Sequence, residues 1–323
     1  MALVAEGRIR VMSIAEDETN IAAAGPARKG IGGADLFALL ACSLIWSTTW
    51  FAIKFQLGVV PPVVSVAYRF GLATLLLFAW CLFTRQSLKL TRAQHLMVAG
   101  QGVFVFALQY PLVYIAEGYV VSAVVAVIFA SLSFVNLILF RITLGLKAAR
   151  LAWAGSAAGL LGVAALSWGE AVRLDMSPAA LLGIGLSMAA VVISAFGNLF
   201  AAKAQALEVP VTSSTAWAMG YGTLGLLLYA LVSGQPFAFE FTAAYIGSLV
   251  YLAVFGSVAA FLMYYALARR TGYSFASYIS ALTPPIAMGI SAAFEGAQWG
   301  WEALAGLVLV VTGQYLLIRA PKA

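Results

Sequence analysis

Side chains able to do chemistry are sparse in this sequence, and nearly all of them are neutral. It has one histidine, His95, and two separated cysteines, Cys42 and Cys81, so no multi-histidine site and no Cys-x-x-Cys spacing can be built. No metal and no cofactor is expected, and both cysteines read as small buried hydrophobes. Ser187, Val191, Ser194 and Asn198 recur at spacings of 4, 3 and 4, which is one face of a helix. Phe129, Ser133 and Asn136 share a face, as do Ser257, Phe261 and Tyr264; Ser274 lies one turn before Tyr278, and Trp46 one turn before Trp50. The candidate binding residues are therefore Trp46, Trp50, Ser133, Asn136, Ser194, Asn198, Ser257, Phe261, Tyr264 and Tyr278. Aromatic faces attract an ammonium group through cation–π contact, and Asn and Ser can meet a carboxylate. The competing role for the small residues is helix packing, and for the two Asn a hydrogen bond from helix to helix. Paired buried acids, histidine clusters and an activated nucleophile are missing, which argues against an enzyme.

The elements that hold these residues follow from composition. Of 323 residues 63% are hydrophobic and 9% charged, and the mean hydropathy is +0.98. A soluble globular domain has roughly 25% charged residues, so that class is excluded. Windows long enough to span a bilayer are apolar at 34–55, 62–84, 95–115, 120–144 and 149–168, then at 178–202, 211–233, 243–267, 272–294 and 300–319. Continuous runs with Gly and Ala throughout predict helices rather than alternating barrel strands. Residues 1–33 carry Glu16, Asp17, Glu18, Arg28 and Lys29 and read as a flexible cytoplasmic tail rather than a signal peptide.

Charge then orients the ten segments. With the amino terminus inside, 15 of the 18 Lys and Arg fall on the cytoplasmic side and only Lys54 and Arg173 on the other, so both termini are expected in the cytoplasm. The net charge of +6 therefore reports membrane orientation, and no basic block interleaved with aromatics suggests nucleic acid. Arg69 is the one cation inside a segment, where a charge is costly. It is expected to have a structural or gating role, snorkelling to the near interface or tying loops to carbonyls. Glu117, Glu295 and Glu302 fall at segment ends and are expected to be solvated. Pro111 should bend the third segment, and Pro284 with Pro285 should kink or break the ninth.

Internal repetition supplies the architecture. A shift of 151 superposes Tyr114 on Tyr265, Ile128 on Ile279, Ala130 on Ala281, Ala154 on Ala305, Gly155 on Gly306 and Gly162 on Gly313; a shift of 148 places Pro62 on Pro210. Residues 34–168 and 178–319 are thus two five-helix repeats, and an odd number of spans per copy inverts the second. The expected fold is an all-α membrane protein, ten transmembrane helices in two inverted five-helix repeats around a central cavity.

Ile45 to Phe51, Pro62 with Tyr68-Arg69-Phe70, and the run from Tyr251 through Tyr265, Gly272, Ser277, Pro284 and Glu295 to Gly306 and Gly313 resemble the ten-helix EamA-type members of the drug/metabolite transporter superfamily. Departures lie in the first repeat, where Ser133 stands opposite Pro284 and Leu144 opposite Glu295. Within the superfamily the chain is most similar to the bacterial aromatic and neutral amino-acid exporters of the YddG type. That resemblance implies a bacterial inner-membrane transporter, acting as a monomer, whose partners are a small-molecule substrate and the lipid bilayer. It also implies export of amino acids or similar metabolites by alternating access. With Arg69 alone inside the membrane, a neutral, zwitterionic or lipophilic substrate fits better than a phosphorylated one. The absence of a deep acid disfavours tight proton coupling. A broad exporter of lipophilic drugs is the first competing reading and a passive channel another.

Overall fold

The computed structural model describes residues 32–145, 149–175, 177–271 and 278–320; most of the amino-terminal tail, Lys147, Gly272, Ser274 and Ser277 lie outside them. These residues form ten helices: α1 (Gly33–Ile53), α2 (Pro62–Phe83), α3 (Arg92–Ala116), α4 (Ser122–Leu144), α5 (Arg150–Arg173), α6 (Pro178–Ala206), α7 (Val211–Val232), α8 (Ala243–Thr271), α9 (Tyr278–Phe294) and α10 (Trp301–Arg319). The first eight are each long and apolar enough to cross a bilayer; α9 and α10 carry shorter apolar stretches. The chain is an all-α, multi-pass membrane protein.

Local sequence sets the helix ends. Pro62 and Pro178 occupy first-turn positions, where a missing N–H costs nothing. At the start of α3 a Thr91–Gln94 capping box closes reciprocally, with Gln94 Oε1 accepting from Thr91 N at 2.8 Å and Thr91 Oγ1 from Gln94 N at 3.3 Å. Gly145, at φ +69°, ends α4 in the left-handed conformation that a side chain would resist.

Packing obeys an exchange of helices 1 with 6, 2 with 7, 3 with 8, 4 with 9 and 5 with 10. The α2–α7, α4–α9 and α5–α10 pairs map onto themselves, while α1–α9 maps onto α6–α4 and α3–α7 onto α8–α2; all are in contact. The α5–α10 seam shows the symmetry residue by residue. A Cβ on Gly162 would lie 2.5 Å from the Gly306 carbonyl oxygen, and one on Gly313 would lie 2.5 Å from that of Gly155. The 151-residue shift carries one contact into the other. Two helices approach this closely only where both lack side chains, which is how close packing substitutes for hydrophobic drive inside lipid.

Three helices are irregular. In α3 an eight-residue π-helical stretch, Gly102–Gln109, precedes Pro111, and in α8 its counterpart is Leu252–Ala259. Pro111 sits in the first turn of the α-helical stretch after the bulge, so its missing N–H is absorbed there rather than by a simple bend. The copy in α8 contains no proline; there Ser257 Oγ donates to the Leu252 carbonyl at 2.9 Å. The third irregularity lies in α4, which is interrupted at Ser131 between Ser122–Ala130 and Leu132–Leu144. Ser131 Oγ bonds the Ile128 carbonyl at 2.6 Å, and Gln314 Nε2 of α10 takes the Ala130 carbonyl at 2.7 Å, so the interruption is satisfied. Of the kink or break expected at Pro284-Pro285, the break does not occur, since α9 runs through both prolines.

Candidate functional site

Midway along α1 the two tryptophans leave one face of the helix. Trp46 packs edge-on to Phe261 at 5.6 Å and tilted on Tyr264 at 5.5 Å, both from α8. One turn further on, Trp50 lies 5.0 Å from Phe129 of α4. Its indole Nε1 is buried and has no hydrogen-bond partner among the described residues. Across the bundle, Asn198 Nδ2 of α6 donates to Asn136 Oδ1 of α4 at 3.3 Å. Ser133 is half-buried one turn before Asn136, and Ser194 is buried one turn before Asn198. The structure thus gathers Trp46 with Phe261 and Tyr264, and Trp50 with Phe129, into two aromatic clusters one turn apart on α1, and pairs the two amides, the helix-to-helix bond that was the competing role for them. Tyr278 opens α9, but its side chain lies outside the described residues.

Ser257 and Arg69 are brought together elsewhere. Arg69 is 2% exposed, so it does not snorkel. Its guanidinium carbon lies 4.8 Å over the Tyr110 ring and 5.1 Å over Phe70, and Nε donates to Ser257 Oγ at 3.2 Å. Two turns beyond Pro62 the guanidinium is too deep to reach water, and the two rings with the bulged backbone of α8 take its place. Nη1 of Arg69 and the hydroxyl of Tyr114 have no partner among the described residues. Ser257 is fully buried and spends its hydroxyl on Arg69 and Leu252.

A second polar cluster, at the bundle end away from the termini, is absent from the sequence reading. Lys54, in the turn after α1, donates to the Val120 carbonyl at 2.9 Å and to the Glu117 carbonyl, and its ammonium lies 3.7 Å from Glu295 Oε1. Glu295 in turn accepts from Ser122 N at 3.2 Å, from Ser122 Oγ at 2.5 Å and from Ser291 Oγ. This stitches the ends of α1, α3, α4 and α9. Glu117 is 0% exposed and the Glu295 side chain 9%, its carboxylate taken up by Ser122, Ser291 and Lys54, contrary to the expectation of solvated acids; for Glu117 the cause lies in its neighbours. The reason is Gly183 in α6, where a Cβ would meet Tyr119 Cβ at 2.9 Å; with no side chain there, the turn after α3 packs down onto α6. Glu302 is exposed as expected. The available signal was Lys54 itself, one of two cations on an otherwise cation-poor side.

Residues 33–168 and 181–319 each match the EamA-like transporter family. The chain belongs to that family. It is a membrane transporter rather than an enzyme. The inner membrane transporter YedA of Escherichia coli K12, itself uncharacterized, is 27% identical over 292 residues, covering 88% of this chain and 92% of YedA. Protein PagO of Salmonella typhimurium is 26% identical over 289 residues, again 88% and 92% of the two chains. A crystal structure of 17% sequence identity superposes with a TM-score of 0.62 over 88% of this chain and 96% of its own, which supports the fold. The EamA-like transporter thus carries its family's repeat twice, and the Trp46 cluster and the amide pair each join residues of the two copies.

Proposed function

We propose that this EamA-like transporter exports small neutral or zwitterionic metabolites, foremost amino acids including aromatic ones, from the cytoplasm across the inner membrane by alternating access. The observations that support the reading are two: Trp46 packs with Phe261 and Tyr264, and Asn136 pairs with Asn198, each group drawn from both repeats. Such a site offers π faces to an ammonium and amides to a carboxylate while presenting no free charge. Arg69 is held by rings and Ser257, which fits a structural or gating role better than that of an anion ligand. Both termini lie in the cytoplasm in this reading, from the concentration of Lys and Arg at their end. The functional halves are residues 34–168 and 178–319. Movement between them turns on Pro111, Pro284 and Pro285 and on the bulges in α3 and α8.

The test is uptake of labelled amino acids into proteoliposomes, with and without an imposed pH gradient. Saturable, stereoselective flux is expected, and Trp46→Ala, Trp50→Ala and Asn198→Ala should each weaken apparent affinity by about tenfold, the order of a desolvated cation–π contact or a buried amide bond. Flux that is indifferent to stereochemistry and inhibited by many unrelated hydrophobes would instead support the drug-exporter reading. Pro284→Ala is expected to slow flux more than binding, and unchanged flux would remove the hinge.

A further inference from the structure

The Glu117 carboxyl is completely enclosed, yet neither of its oxygens has a hydrogen-bond partner among the described residues. Two cations stand close enough to act on it, and neither donates to its carboxyl, although Arg69 Nη1 has no partner among the described residues. Lys54 bonds the carbonyl of Glu117, not its carboxyl, and then Val120 and Glu295. Arg69 gives its Nε to Ser257 and lies on aromatic rings. An ionised carboxylate in this enclosure would draw at least one of these donors, since a buried charge without one is strongly disfavoured. A neutral carboxyl is the less costly form in this enclosure.

We propose that Glu117 is a proton-binding site at the outer end of the transporter, loaded from outside water when that end shuts and emptied back to it when the end opens. This rests on the alternating-access reading but not on the identity of the substrate. Shutting the outer end packs the turn after α3 beneath Lys54 and Glu295; opening it hydrates Glu117, which then ionises. The charged and titratable groups that act on Glu117 are Lys54 from the end of α1, Arg69 from α2, Tyr114 from its own helix, and Glu295 beyond α9. Burial pushes the Glu117 carboxyl well above its ordinary value of 4.5, Lys54 opposes this, Glu295 adds to it and Arg69 opposes it. The shut form therefore binds the additional proton. Acid outside holds the outer end shut, and rising pH favours opening by up to about tenfold per unit, over the window between the ordinary and the raised value.

Accessibility of the outer end reads this directly. In a background with Cys42→Ala and Cys81→Ala, Val120→Cys places a thiol where the structure buries the side chain. Its reaction with a membrane-impermeant maleimide is followed against pH, with Glu117 intact and with Glu117→Gln. Dividing the two rates cancels the thiol's own ionisation. The ratio is expected to climb with pH when Glu117 is intact, because Gln stays neutral and keeps the outer end shut; a ratio flat across the range overturns the proposal. Should Glu117→Gln fail to fold, pH-difference infrared spectra of the unaltered protein decide. A protonated-carboxyl band at neutral pH that vanishes in alkali is expected, and its absence refutes the assignment. Neither readout needs a substrate, so an error in the amino-acid reading leaves both intact.

Discussion

At the end away from the termini, Lys54, Glu295, Ser122 and Ser291 form a largely buried network drawn from the ends of α1, α4 and α9. At the end that carries the termini, the described ion pair is Arg270 with Asp35, 2.8 Å apart but with the Arg270 side chain 51% exposed. The same kind of contact, an ion pair between α1 and another part of the second repeat, has opposite consequences at the two ends. A buried pair satisfied by extra hydrogen bonds is costly to break by removing one partner, whereas an exposed pair is screened by water and salt. Among the described residues, then, the far ion pair is the more enclosed of the two, while the near end is held chiefly by side-chain bonds to loop carbonyls, such as Ser213 to Ser87 and Trp217 to Leu88.

Breaking the far network tests that contrast most strongly. Glu295→Ala strips an acceptor from Ser122, Ser291 and Lys54 together and should destabilise the protein by about 2–4 kcal/mol, read as a lowered unfolding midpoint in detergent. Lys54→Met keeps the length of the side chain but leaves two carbonyls without their donor and Glu295 without its counter-charge; about 1–3 kcal/mol is expected in the same melt. Between the two ends, Ser257→Ala removes the Arg69 bond from a bulge that stays helical, costing about 1 kcal/mol and measured likewise. Asp35→Asn at the near end should leave the midpoint within experimental scatter at moderate salt. If Asp35→Asn and Glu295→Ala were equally damaging, the contrast between the ends would be wrong.

Much of the fold was legible because a bilayer imposes a length: the segment at 62–84 became Pro62–Phe83 and that at 211–233 became Val211–Val232. Gly155, Gly162, Gly306 and Gly313, noticed only as repeats, are the places where α5 and α10 touch backbone to backbone. Local irregularity was harder to read. Proline signals a break by what its own nitrogen lacks, yet α9 absorbs two prolines, while α4 breaks at Ser131 through partners in α10 that no local window contains. The paired bulges in α3 and α8 share no sequence signature, since only one precedes a proline. Trp46, Phe261, Asn136 and Asn198 stood out singly because side chains on one helix face must meet a neighbour, but which neighbour each meets is set by helix packing that no local window contains. Glu117 was misread because its burial depends on Gly183, 66 residues away in the chain, and not on its place at a segment end.

The most direct test of alternating access is a reversible lock on the far end. Ser122 Oγ and Ser291 Oγ are 3.1 Å apart, close enough for cysteines at both positions to bridge. In the background lacking Cys42 and Cys81, the oxidised Ser122→Cys, Ser291→Cys protein should carry no labelled amino acid across proteoliposomes, and reduction should restore the flux. Full flux through a completely cross-linked protein would contradict the account.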